Sequence, residues 1–185
     1  MNAKLFSIAT AVTALFVLAV ALHLGCTSGK HPNDSRLPRT TALERNSPTM
    51  TLSQLDSVFS QDFKIVKSVD DIPDVVKTSF CNLERCNFKG VKFDMVDPGE
   101  TMSTDYIIPG VPNKKLVIAA LSENAAVLLY VRGGYADRLC VTVFDFRARA
   151  SWGAYLKNYR MRDFDELRKA IADRDFVQWL PDVTG

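Results

Sequence analysis

Histidine is nearly missing from this chain, because the two that occur among its 185 residues, His23 and His31, both precede residue 49. The region beyond therefore has no imidazole, on which Ser-His-Asp and Cys-His catalysis, histidine general bases and His-ligated zinc or iron depend. Acid-base chemistry there falls to carboxylates, Lys, Tyr or Cys. C-x-x-C is absent too, so the cysteines lack the spacing of redox or zinc motifs. The stretch Arg132-Gly133-Gly134-Tyr135 is not a phosphate loop, since G-x-x-x-x-G-K-[ST] does not occur. It reads as a turn in which glycine supplies positive φ. No internal repeat or low-complexity tract is present, and neither a metal nor a cofactor is expected.

A strong charge of either sign is also lacking. The formal net charge is +2, but five of the 23 Lys and Arg and two of the 21 Asp and Glu precede residue 49, leaving 18 against 19 beyond it. A nearly neutral domain lacks the basic footprint of nucleic-acid binding. The hydrophobic fraction of 47% and charged fraction of 24% are those of a folded protein. The length fits one domain with extensions.

What is present begins with export. Lys4 and the free amine precede Leu5 to Leu22, an uncharged apolar run with the layout of a signal segment. It is also just long enough to span a bilayer, which takes roughly 17 to 25 apolar residues. The run ends in Leu22-His23-Leu24-Gly25-Cys26, which resembles the lipobox of bacterial lipoproteins. His23 and Leu24 stand where that family carries an aliphatic and a small residue. The resemblance implies lipid attachment at Cys26 and covers only residues 1–26. The alternative is an uncleaved signal anchor with Cys26 at the interface. Lys30, Arg36, Arg39 and Arg45 follow the run, and positive residues prefer the cytoplasmic side, so an inverted orientation is a third reading. Residues 27–48 are rich in Ser, Thr, Asn, Pro and charge and read as a flexible tether with a reach of roughly 25 Å.

Residues 49–185 read as a single α+β domain. Leu52, Leu55, Phe59 and Phe63 suggest one helix. Ile72, Val75, Val76, Phe80 and Leu83 predict a second, with Asp70 or Asp71 as N-cap and Pro73 in the first turn. Leu116 to Leu121, Ala125 to Val131 and Leu139 to Phe146 predict an antiparallel meander of three or more strands. The first two of these are apolar at both parities, the first with Leu116, Ile118 and Ala120 on one side and Val117, Ala119 and Leu121 on the other. Cover on both faces is therefore expected. Phe164, Leu167 and Ile171, with Asp163 as N-cap and Glu166 three residues on, predict a C-terminal helix. The whole is an antiparallel meander packed with two N-terminal helices and one or two C-terminal helices.

Three groups of side chains invite a functional reading. In an oxidising compartment Cys81 and Cys86 favour a disulfide, leaving Cys140 buried; pairing Cys140 with either is the rival. Asp94, Asp97, Glu100 and Asp105 crowd one loop without the spacing of a calcium site and read as solvated turn acids. Arg147, Arg149, Lys157, Arg160 and Arg162 interleave with Trp152, Tyr155 and Tyr159. Such a set can contact anions or lipid headgroups, or it can be the snorkelling rim of a core. The functional expectation is a membrane-tethered cell-envelope protein, its domain in the periplasm or outside the cell. It would be a non-enzymatic binding or scaffolding module for an unknown protein or envelope partner, with no nucleic acid. The alternatives are a carboxylate- or Tyr-based enzyme acting on envelope material, and a cytoplasm-facing single-pass membrane protein.

Overall fold

The long apolar runs become the centre of one antiparallel sheet. A computed structural model of the chain describes residues 41–86, 93–104, 108, 110–134, 136–158 and 160–178. The expectations for the apolar segment, for Cys26 and for the tether up to residue 40 fall outside those residues, as do Asp105, Tyr135 and Tyr159. The elements in chain order are α1 (Leu52–Phe59), β1 (Lys64–Val66), α2 (Asp74–Glu84), β2 (Lys114–Leu121), β3 (Ala125–Arg132), β4 (Arg138–Asp145), β5 (Ala150–Leu156), α3 (Phe164–Ala172) and β6 (Phe176–Gln178). The strands lie side by side in sequence order, β1 to β6, every neighbour antiparallel. The fold is α+β with a meander sheet. Among the described residues no helix is long and apolar enough to cross a membrane.

Both faces of the sheet are covered, which is why β2 to β5 carry apolar residues at odd and even positions alike. On one face α1 and α3 bring Leu55, Val58, Phe164, Leu167 and Ile171 against Ile118, Val127, Leu129, Val141 and Trp152. On the other, α2 brings Val76, Phe80 and Cys81 against Leu116, Leu128, Tyr130, Cys140 and Phe144. The strict alternation expected of β2 fails at a bulge between Leu116 and Ile118. A bulge inserts one residue and shifts the phase of the strand. Leu116 therefore joins Ala119 and Leu121 on the α2 face, while Val117 packs with Ile118 and Ala120 on the other.

The helix ends obey local chemistry, with two departures from expectation. Thr51 and Gln54 form a reciprocal capping box at α1, but the helix stops at Phe59, so Phe63 reaches the core from the following loop; Leu52, at the start of the helix, is exposed. α2 is capped by Pro73, not by Asp70 or Asp71, and no side chain bonds its first N-H groups. Asp163 caps α3 as its spacing implied, accepting from the Glu166 amide at 2.8 Å. The folded region also starts earlier than residue 49. Leu43 is only 2% exposed, its amide donates to Ser79 Oγ at 2.8 Å and its carbonyl accepts from Asn82 Nδ2 at 2.8 Å. Composition cannot show this, because one apolar residue among polar neighbours has no periodicity.

At Gly133 the need for glycine is closeness, not a left-handed φ. A Cβ there would lie 2.4 Å from the Ser103 carbonyl oxygen, and the Gly133 amide donates to the Asn113 carbonyl at 2.8 Å. Among the described glycines positive φ occurs at Gly99 and Gly110.

Candidate functional site

The bulge in β2 decides which lysine goes inside. Because phase shifts below Ile118, Lys114 shares the α2 face with Leu116, and it is completely buried there. Burying an ammonium without partners is costly, and this one has two hydrogen-bond acceptors and a second carboxylate as ion-pair partner. Its Nζ lies 2.6 Å from Asp94 Oδ2, 3.2 Å from Asn113 Oδ1 and 3.4 Å from Glu84 Oε2. Asp94, also fully buried, takes the Asn113 amide on its other oxygen at 2.8 Å. The expectation that Asp94 is a solvated turn acid is thus overturned. Nor are Asp97 and Glu100 idle: Asp97 accepts from the Val69 amide and from Ser68 Oγ, and Glu100 accepts from the Asp97 amide.

Glu84 stands at the last turn of α2 and links the lysine to the sheet. Its Oε1 accepts from the Tyr130 hydroxyl at 3.2 Å, and Tyr130 meets Thr142 Oγ1, also at 3.2 Å. Arg132 Nη1 approaches Glu84 Oε2 at 3.9 Å. Burial, reinforced by Glu84, pushes the Tyr130 phenol well above its ordinary value. The same two causes push the Cys140 thiol up to about 12. Both groups stay protonated at neutral pH and are poor nucleophiles. The hydroxyl and the thiol of this cluster thus hold their protons at neutral pH, while its carboxylates sit against Lys114 and Arg132.

The lysine also begins a row. Lys114 is the cross-strand partner of Arg132, and Arg132 is the partner of Arg138. All three share the face of Tyr130 and Cys140, two residues inward on their strands. Arg138 lays its guanidinium 5.0 Å from the centroid of the Tyr155 ring. Sequence inspection missed this row because its members lie far apart along the chain and meet only through the register of the meander.

The residues singled out from sequence are distributed otherwise. Cys81 and Cys86 are disulfide-bonded with Cα atoms 4.7 Å apart, and Cys140 is a buried free thiol. Arg147 and Arg149 sit in the exposed β4–β5 turn, while Lys157, Arg160 and Arg162 follow the far end of β5. At about 3.3 Å per residue the strand alone separates the two groups by roughly 20 Å. Trp152 is buried and Tyr155 packs on the α2-side core, so these aromatics point inward between outward cations. Lys157 pairs with Asp175 at 3.5 Å. Arg162 instead borders a cleft of about 440 Å³ beside β1, with Phe63, Ile65, Phe164 and Arg168 in its wall. Both acids and cations line that cleft, and Asp163 is engaged as the α3 cap. Among the described residues no group of three or more His, Cys, Asp or Glu is arranged to hold a metal.

No protein-family model matches the chain, and neither does any curated protein or solved structure. The functional reading rests on this geometry and on the sequence.

Proposed function

We propose that this chain is a membrane-tethered protein of the bacterial cell envelope, anchored through Cys26 or the apolar segment before it, whose α+β domain binds a partner rather than turning over a substrate. The observation that carries the reading is the Cys81–Cys86 pair, since disulfides persist in oxidising compartments and are rare in the cytosol. The export-type segment at residues 5–22 and the lipobox-like ending at Cys26 agree with it. The buried ion cluster supports the non-enzymatic half: its carboxylates already serve Lys114, Arg132 and the Asn113 backbone amide.

The test is mass spectrometry of chain isolated from membranes, alkylated after denaturation without reductant. A lipid-modified Cys26 at the mature N-terminus with Cys140 alone alkylated is the expected pattern, and an unmodified N-terminus with Cys26 and Cys140 alkylated marks the anchor form. Alkylation of Cys81 and Cys86 would place the domain in a reducing space and overturn the reading.

A further inference from the structure

The cation row on the α2 face is not balanced by its acids. Lys114, Arg132 and Arg138 lie on consecutive strands in register, and among the described residues the carboxylates within 4.0 Å of them are those of Asp94 and Glu84. Asp94 belongs to Lys114 at 2.6 Å, and Glu84 divides itself among Lys114 at 3.4 Å, Arg132 at 3.9 Å and the Tyr130 hydroxyl. Arg138 has no carboxylate within 4.0 Å among the described residues, although exposed Asp137 is next to it in sequence. Two arginines directly opposite on antiparallel strands have Cβ atoms about 4.5 to 5.5 Å apart, and like charges in that position repel. The fold nevertheless keeps both, and it fixes both. The Arg132 side chain is 38% exposed, and its Nη1 lies 3.9 Å from Oε2 of buried Glu84. The Arg138 guanidinium rests on the Tyr155 ring.

We propose that Arg132 and Arg138 form an oxyanion site for a phosphate group, with Tyr155 as the platform that orients one guanidinium and Glu84 as the brace for the other. A carboxylate satisfies one arginine fork with its two oxygens, whereas a tetrahedral phosphate carries enough oxygens for two forks at once. An anion between the two guanidiniums converts the cross-strand repulsion into paired attraction. The phosphate is that of a lipid headgroup or of a soluble phosphate ester, and the site does not depend on how the chain is anchored.

The experiment follows the thermal unfolding midpoint of the full chain in nonionic detergent, in sodium phosphate against sodium chloride of equal ionic strength. The wild type should gain roughly 3 to 6 °C at phosphate tenfold above its dissociation constant. Arg138→Gln should lose that gain while its midpoint in chloride stays close to that of wild type, because the lost contact with the Tyr155 ring is offset by the relieved repulsion. Arg147→Gln, at the opposite end of the sheet, should keep the gain. Doping the micelles with phosphatidylglycerol, against phosphatidylcholine, separates the sources: a gain removed by Arg138→Gln assigns the lipid headgroup, and a gain with inorganic phosphate alone assigns a soluble ester. An equal response of wild type and Arg138→Gln to phosphate overturns the site, as does a wild type that responds to neither probe beyond chloride. Arg138 is exposed at a strand end, so its replacement does not endanger folding.

Discussion

α1 and α3 meet one face of the sheet through Leu55, Val58, Leu167 and Ile171, with no fully buried charged residue among them, whereas α2 meets the other face over Lys114, Asp94 and the tip of Glu84. Both faces exclude water, but they do so under different rules. Apolar contact is non-directional and grows with area, so the α1/α3 face loses stability in proportion to the volume removed. A buried ion cluster is directional, and deleting one member leaves the others charged in a poor solvent. The α2 face should therefore be the more brittle of the two and the more exact in position.

Asp94→Ala breaks the comparison most severely. It leaves the Lys114 ammonium buried with Asn113 and a shared Glu84, and the expected loss is about 3 to 5 kcal/mol by urea unfolding. Replacing the pair together, Lys114→Met with Asp94→Leu, should recover most of that loss, because apolar substitutes of similar size are often neutral in such sites. On the other face Leu167→Ala should cost about 2 to 5 kcal/mol, set by how far the site collapses. No second substitution of a polar partner can rescue it. The double replacement is thus what separates a charge effect from lost packing.

The disulfide sharpens the comparison further, since it closes the turn that carries Glu84. Cys81→Ser with Cys86→Ser opens a loop of sequence separation 5 and should cost about 2 kcal/mol by the chain-entropy account, read in the same denaturation experiment. The smallest effect belongs to Cys140. Its thiol, pushed up to about 12 by burial and Glu84, should resist alkylation in the native protein at pH 8 and react on denaturation. The raised value favours the folded state below the ordinary thiol range near pH 9. That contribution fades as pH rises from there towards 12, with Tyr130 acting in the same sense at higher pH.

The sequence spoke plainly wherever burial on both faces imposed apolar residues at every position. Leu116 to Leu121, Ala125 to Val131 and Leu139 to Phe146 all became strands within a residue or two of their expected bounds. β5 was hidden because Gly153 and the flanking cations made Ala150–Leu156 look like a basic-aromatic surface, although Trp152 is among the most buried side chains. β1 and β6 have three residues each and carry no readable period. The ion cluster was illegible for a different reason. Asp94 and Lys114 are 20 residues apart, a separation no local pattern encodes, and the bulge that turns Lys114 inward is invisible in a run that is apolar at both parities. Charge shows in a sequence; its burial does not.

The difference between the faces is tested most directly by native-state hydrogen exchange on Asp94→Asn, a substitution that keeps shape and removes charge. Exchange should quicken selectively in residues 74–84 of α2, while α1 and α3 keep the protection of the wild type. Equal loss of protection in all three helices, or none in α2, would contradict the claim that buried charge fastens this one helix to the sheet.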